Sequence, residues 1–271
     1  MRQAAIDAVF FSPLLDLARQ AGLAILAVRD HSRPVEVRFK EDDSPLTEAD
    51  LAAHRILVSG LRALMPQRPV VSEESGHGDP RHGASSFWLI DPLDGTKEFL
   101  NHSGEFTVNI ALIEQGRPVL GIVHAPALDL TYWGQAGGKA WRCRSGQCDE
   151  IRVSPMSADP LRIVASKSHL NQATADFIAG LGEHVLVQAG SSLKFCRIAE
   201  GAADVYPRLA PTSEWDTAAA QAVLEAAGGH VFQPDGRPLA YGKADILNPP
   251  FIASAISAKA LERLRNGTRH P

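Results

Sequence analysis

Two rhythms of apolar residues alternate along this chain. Leu14, Leu17, Ala18, Ala21, Ile25 and Val28 recur at helical spacing behind Ser12-Pro13, a pair suited to an N-cap and a first helical position, so a helix is predicted to start there. A short strand is expected over 35–40, then a polar loop to Pro45. Thr47-Glu48-Ala49-Asp50 has the form of a capping box ahead of an amphipathic helix over 51–65. Val70-Val71-Ser72 reads as a short strand running into Glu73-Glu74-Ser75-Gly76 and a loop rich in Gly, His and Asp over 76–86. Trp88-Leu89-Ile90 is a buried strand that Pro92 should end at Asp91. Strong strands follow over 106–113 and 119–125, separated by the hairpin residues Gln115-Gly116-Arg117-Pro118, and Tyr132-Trp133 and 139–142 continue the meander.

From about residue 156 the pattern changes. Strands over 162–165, 184–188 and 204–206 alternate with helices over 172–181, 192–200 and 217–227. The expected organisation is therefore an α+β half over 1–155 with a mostly antiparallel sheet, and an α/β half over 156–271, the two sharing a cleft.

Composition narrows the function. The 271 residues are 45% hydrophobic and 21% charged, an ordinary globular balance. A formal net charge of −4 without a basic run disfavours a nucleic-acid polymer as partner, while a small phosphorylated molecule remains compatible if bound cations reverse the local sign. Long uninterrupted apolar runs are missing, so neither a secretion signal nor an integral membrane span is expected, and the chain reads as cytoplasmic. Cys143 and Cys148 flank Arg144-Ser145-Gly146-Gln147, which reads as a hairpin turn; with Cys196 the count is odd, and reduced thiols are expected.

The chemistry concentrates in Trp88-Leu89-Ile90-Asp91-Pro92-Leu93-Asp94-Gly95-Thr96. Two acids in a tight turn at a strand end can converge on one point, with the Leu93 carbonyl between them. Hard oxygen donors of this kind suit Mg²⁺. The Asp-x-x-Asp spacing differs from the Asp-x-Asp of haloacid-dehalogenase phosphatases, which argues against a covalent aspartyl nucleophile. Glu73 and Glu74 also follow an apolar strand, and one of them can face the same cleft. Asp50 and Asp216 sit at helix starts, where a plain capping role is the simpler reading; capping still leaves one carboxylate oxygen for other work.

Taken together, these strings resemble the lithium-sensitive inositol-monophosphatase-like superfamily. Its motifs are matched by the run from Trp88 to Thr96 with Lys97-Glu98-Phe99, by Trp215-Asp216-Thr217-Ala218-Ala219-Ala220 ending in Gly228-Gly229, and by Glu73-Glu74-Ser75. Within it the likeness is to the bacterial branch acting on 3′(2′),5′-bisphosphonucleotides, through Asp43-Ser44-Pro45-Leu46-Thr47-Glu48-Ala49-Asp50, the segment from Gly104 to Ile113, Ser191-Ser192-Leu193-Lys194-Phe195-Cys196 and Tyr206-Pro207-Arg208. The resemblance implies a layered αβαβα sugar-phosphatase fold, two or three Mg²⁺ ions per site, lithium sensitivity, and hydrolysis of 3′-phosphoadenosine 5′-phosphate to AMP and phosphate in sulfur metabolism. It also allows a peripheral place on the cytoplasmic face of the inner membrane.

Carried over position by position, Glu73, Asp91, Asp94, Asp216 and the Leu93 carbonyl would hold the metals, with Glu73 chosen over Glu74. Asp50 and Thr96, with Glu73, would form the catalytic group that orients a water for direct attack. Gly95 and Thr96 would cradle the phosphate through their N–H groups. Ser168, His169, Ser191, Ser192, Lys194, Tyr206 and Arg208 would complete the substrate site beside Glu73, Leu93, Asp94 and Asp216. An inositol-1-phosphate or broad sugar-phosphate phosphatase would share the metal centre, and a non-catalytic nucleotide or metal sensor is the reading from another class.

Overall fold

The computed structural model describes residues 2–30 (with side chains from Phe11), 36–40, 45–75, 84–155, 160–165 and 171–265. Two sheets organise the chain. The larger has seven strands in sequence order: Val70–Ser72, Ser86–Asp94, Thr107–Glu114, Arg117–Ala125, Leu130–Gln135, Ala140–Arg144 and Gln147–Ile151. All its pairings are antiparallel except the first, where Val70–Ser72 runs parallel to Ser86–Asp94. The smaller has five strands, in the order His184–Gln188, Leu161–Ala165, Val205–Arg208, Phe251–Ser254 and His230–Phe232.

The period-2 geometry of strands explains the layering, since successive side chains leave opposite faces of a sheet. From the large sheet, Trp88, Ile90, Ile110 and Ile122 pack with Leu14, Leu17, Leu57 and Leu61 of the helices Arg2–Asp30 and Glu48–Leu64. Phe87, Leu89, Ala111 and Val123 enter a second core with Leu193, Phe195, Ala219 and Val223 of the helices Leu193–Ala199 and Ala218–Ala226. Val164, Tyr206, Phe251 and Ala253 of the small sheet close that core from the far side. Ile163, Val205 and Ile252 point the other way, onto Phe177, Ile178 and Leu261 of the helices Gln172–Ala179 and Ala258–Arg265. The result is the expected αβαβα stack. Both sheets are covered on both faces, which is why their strands read as near-continuous apolar runs.

The middle helix layer approaches the large sheet unusually closely. A Cβ added at Gly121 would lie 2.0 Å from the Ala219 carbonyl oxygen, and one at Gly134 would lie 2.7 Å from the Ala226 Cβ. Glycines on two neighbouring strands and alanines on the helix let the backbones meet, which seats that helix directly against the sheet.

Several expectations are corrected. The first helix begins at Arg2 and carries Pro13 inside it; Ala4, Ala5 and Ile6 upstream are compatible helix formers, so one lost backbone donor does not end it. Its stretch Phe11–Asp30 has the length and apolarity of a membrane span, against expectation, but Phe11, Leu14, Leu17, Ala18, Ala21 and Ile25 are spent on the core described above. Ser86–Asp94 runs past Asp91, because the register shifts between Asp91 and Asp94 and the bulge accommodates Pro92. Arg117 and Pro118 belong to the strand, and Gln115-Gly116 alone turn the hairpin, both at positive φ (49° and 73°). Cys143 and Cys148 form a disulfide in place of two reduced thiols: the Ala140–Arg144/Gln147–Ile151 hairpin sets them directly opposite, with Cα atoms 4.0 Å apart. Cys196 is free and buried.

Candidate active site

The bulge of Ser86–Asp94 delivers two acids to one point. The Asp91 Oδ1 accepts the Leu93 N–H (3.0 Å), which closes the bulge on itself and leaves the Leu93 carbonyl on the same side. Asp94 is held by the Ser192 N–H at 2.6 Å. Behind it, the Thr107 and Ser192 hydroxyls meet at 2.8 Å and Ser192 donates to the Asn109 side-chain oxygen at 2.8 Å. The structure therefore places the Ser192 hydroxyl in this buried support, beside Thr107 and Asn109, with the Ser192 N–H on Asp94.

Asp216 arrives from the second half of the chain, two residues before Ala218–Ala226. Its Oδ2 accepts the Ser213 N–H at 3.0 Å and the Thr212 hydroxyl. That turn is pinned in turn: Thr212–Ser213 pairs with Leu247–Asn248, and the Asn248 amide donates to the Ser213 carbonyl (3.0 Å) and the Thr217 hydroxyl (2.9 Å). Glu214, fully buried, binds the Gly242 and Lys243 N–H groups and the Lys243 ammonium.

These supports bring carboxylate oxygens of Asp91, Asp94 and Asp216 within 4.8 Å of one another. Their electrostatics are those of acids out of water and beside one another. Burial, and then the charges of Glu73, Asp94 and Asp216, push the Asp91 carboxyl well above the usual range. Asp94 is raised to about 7 by burial and by Asp216, against the pull of Lys194. Asp216 is raised as well, chiefly by burial. A fold that holds three mutually repelling, buried oxygen donors together fits a hard divalent cation.

Glu73 sits alongside. Its N–H donates to the Ile90 carbonyl (3.2 Å), which ties it to the strand carrying Asp91. It lies outside the 4.8 Å group, and burial raises its carboxyl to about 7 while Lys40 opposes. The Lys40 ammonium stands 2.6 Å from both Glu73 Oε1 and Glu74 Oε1, a contact that sequence reading missed.

Asp50 divides its two oxygens. Oδ2 caps the helix Glu48–Leu64, accepting the Thr47 N–H (2.7 Å) and hydroxyl (2.6 Å). Oδ1 faces the Thr96 hydroxyl at 3.4 Å, and that hydroxyl is also 3.5 Å from the Leu93 carbonyl. Capping and a place beside the acidic bulge thus coexist in one residue. Gly95, at φ 94°, makes the left-handed step into the short helix Thr96–Leu100, where a side chain would be strained.

A cavity of about 160 Å³ opens onto this group, and Asp94, Gly95, Ser191, Lys194, Tyr206, Arg208 and Asp216 line it. Lys194 is nearly enclosed, its ammonium 5.7 Å from the Tyr206 ring centroid, and burial lowers its pKa against the pull of Asp94. Arg208 donates to the Pro211 carbonyl at 3.1 Å; its Nε is buried and finds no partner among the described residues. Ser191 lines the wall while its hydroxyl donates to the Glu105 carbonyl at 2.7 Å. Ser168 and His169 lie outside the described residues. Lys97, Glu98, Phe195, Thr212, Thr217 and Phe251 also line the cavity and were not foreseen.

Comparison with known proteins agrees with this arrangement. The model of the inositol monophosphatase family matches residues 8–268. The chain is 50% identical over 237 residues to the 3′(2′),5′-bisphosphate nucleotidase CysQ of Salmonella typhimurium, covering 87% of this chain and 95% of that protein. It is 49% identical over 240 residues to the CysQ of Escherichia coli, covering 88% and 96%. Among solved structures, CysQ of Bacteroides thetaiotaomicron, a bacterial member of the same family, superposes with a TM-score of 0.79 at 40% identity, over 90% of this chain and 96% of that one. The Thermotoga maritima IMPase does so with a TM-score of 0.76 at 25% identity, over 97% and 98%. The chain belongs to the inositol monophosphatase family.

Proposed function

We propose that this chain is a 3′(2′),5′-bisphosphate nucleotidase, a metal-dependent phosphomonoesterase that hydrolyses 3′-phosphoadenosine 5′-phosphate to AMP and phosphate. The observation that carries the reading is the two-signed cavity: a three-carboxylate pole of Asp91, Asp94 and Asp216, with Lys194 and Arg208 on the wall. A substrate with two phosphates has use for both. The relatives at 49–50% identity, whose names state this activity, support the same substrate.

Asp91, Asp94, Asp216, Glu73 and the Leu93 carbonyl would hold the cations, which we take to be two or three Mg²⁺ ions. When bound, such ions neutralise the phosphate, stabilise the leaving oxygen and make a water easier to deprotonate. The remaining work falls to the chain. The Thr96 hydroxyl can donate to Asp50 Oδ1 and so keep its own oxygen turned to accept from a water; the attacking water is thereby oriented, and Asp50 can take up the proton passed through Thr96. The N–H groups of Gly95 and Thr96 hold the scissile phosphate through their position at the turn. Arg208, with its unpaired buried Nε, and Lys194 receive the second phosphate. Tyr206, Phe195 and Phe251 form a packed aromatic wall suited to the nucleoside.

The test is phosphate release from 3′-phosphoadenosine 5′-phosphate, its sulfated relative and inositol 1-phosphate, with Mg²⁺ and with chelator. The reading requires Mg²⁺-dependent release, fastest from the bisphosphonucleotides. Preferred turnover of inositol 1-phosphate would overturn the substrate assignment, and a trapped phospho-aspartate would overturn direct attack by water.

A further inference from the structure

Two polar side chains stand one turn apart on the helix Glu48–Leu64: Asp50 near its start and His54 four residues on, the spacing that puts both on one side of a helix. Asp50 Oδ1 faces the Thr96 hydroxyl. His54 reaches a different element. Its Nδ1 lies 2.8 Å from the hydroxyl of Ser72, the last residue of the strand Val70–Ser72. That strand is three residues long and lies at the edge of the large sheet, paired among the described residues with Ser86–Asp94 alone. Beyond it the sheet holds the backbone by one more bond, from the Glu73 N–H to the Ile90 carbonyl. Ser72 then closes the turn that follows. Its hydroxyl accepts the Glu74 N–H (3.3 Å), its carbonyl accepts the Ser75 N–H (3.0 Å), and its own N–H donates to the Ser75 hydroxyl (3.2 Å).

We propose that His54 is a positioning residue: through the Ser72 hydroxyl it ties the Ser72–Ser75 turn to the helix that carries Asp50, and so sets the Glu73 carboxylate in register with Asp50 and Thr96. This rests on the reading that Glu73 is a cation ligand. A three-residue edge strand is a weak mount for a ligand, and the helix, seated in the core through Ala53, Leu57 and Leu61, is a rigid one. Ser72 is buried, so bulk water does not replace the histidine there. With the Glu74 N–H already on its oxygen, the Ser72 hydroxyl has its proton free for Nδ1. Burial and the charges of Arg55 and Arg62 lower the His54 pKa, so the ring is a neutral partner that brings no charge to compete with a cation. A lysine or arginine in its place would bring one.

The experiment is Mg²⁺ titration of metal-stripped protein by calorimetry, with thermal melts in chelator, for wild type, His54→Leu, His54→Asn, Ser72→Ala, Glu73→Gln and the double variant His54→Leu/Glu73→Gln. His54→Leu and Ser72→Ala should each weaken Mg²⁺ binding roughly tenfold, the usual loss when a group that orients a ligand is removed. His54→Asn, whose amide can occupy the place of Nδ1, should recover most of the wild-type affinity. Glu73→Gln should weaken binding by itself, and His54→Leu should add nothing in the double variant, because its effect passes through Glu73. Lower melting points for His54→Leu and Ser72→Ala with wild-type Mg²⁺ affinity would make the pair a packing contact and overturn the proposal. A loss in His54→Leu without one in Ser72→Ala, or no recovery in His54→Asn, would overturn the route through the hydroxyl. If His54→Leu does not fold, Ser72→Ala and His54→Asn decide the matter alone. Wild-type affinity in Glu73→Gln instead removes Glu73 from the ligand set, which overturns the reading on which the proposal stands.

Discussion

Replacing Asp91 by Asn should stabilise the cation-free protein while removing its response to Mg²⁺. Carboxylate oxygens of Asp91, Asp94 and Asp216 lie within 4.8 Å of one another. At an effective dielectric of about 20, two unit charges at that separation repel by roughly 3 kcal/mol, and Asp91 takes part in two such pairs. Proton uptake limits the cost. Asp94 is raised to about 7, some three units above its ordinary value, which corresponds to roughly 4 kcal/mol for that group once it ionises. The substitution is nearly isosteric, and an amide oxygen can still accept the Leu93 N–H now 3.0 Å from Asp91 Oδ1. A net gain of about 2 to 3 kcal/mol at pH 8 is expected, which for a chain of this length raises the melting point by roughly 4 to 6 °C.

Thermal melts in chelator and in millimolar Mg²⁺ measure both effects. The sign with pH is fixed. The native pKa values lie above the unfolded ones, so the native state keeps protons that the unfolded chain has released. Wild-type stability without cations is therefore greatest on the acid side, and this contribution is lost as pH rises through about 7. The advantage of Asp91→Asn should accordingly grow from pH 5 to pH 8. A variant that melts at or below wild type in chelator at pH 8 would show that the three carboxylates do not destabilise the cation-free fold, and one that gains as much from Mg²⁺ as wild type does would remove Asp91 from the cation site.

Three further outcomes are expected. His124 is buried, with its Nδ1 2.9 Å from the Thr131 hydroxyl, and burial lowers its pKa to about 4; its contribution is complete above the unfolded value near 6.5 and fades as pH falls toward 4, by roughly 3 kcal/mol in all. With Mg²⁺ saturating, His124→Gln should flatten that part of the stability–pH curve, and an unchanged slope would contradict the assignment. Gly121→Val must push the Ala218–Ala226 helix off the sheet; a loss of about 3 kcal/mol in chemical denaturation is expected, with weaker Mg²⁺ binding because Asp216 moves with the helix, and a variant as stable as wild type would show that the close approach is not required. Lys194→Ala should lower kcat/KM at least roughly tenfold more for the bisphosphonucleotide than for inositol 1-phosphate, the equivalent of one charged hydrogen bond; equal losses in steady-state assays would remove Lys194 from specificity.

Much of the architecture was legible because the near-continuous apolar runs in 86–90, 107–113 and 119–125 are too short for buried helices and read as strands buried on both faces. The acidic bulge was legible for a different reason: Asp-Pro-Leu-Asp-Gly-Thr behind an apolar strand combines turn formers and oxygen donors in one string. What escaped notice depends on long-range partners. Thr107 and Asn109 are ordinary polar positions in a strand until Asp94 and Ser192 meet them. Lys40 is one lysine beside a weak strand until Glu73 and Glu74 arrive. Pro92 signals a strand end locally, yet it falls in the bulge, where no ladder bond calls for its missing N–H, and the strand continues. Phe251–Ser254 is too short to announce itself, although it sits between two strands of the small sheet. Cys143 and Cys148 become a pair only when the hairpin register sets them face to face.

Asp91 and Asp94 come from a strand completed before residue 95, whereas Asp216 waits on a helix more than a hundred residues later, seated through Gly121 and Gly134. A nascent or truncated chain therefore owns only part of its chelator. Capture of a divalent cation by these acids would therefore report on assembly: the full set of oxygens exists only once the central helix layer has docked, and an ion held by all three would tie the early and late portions together.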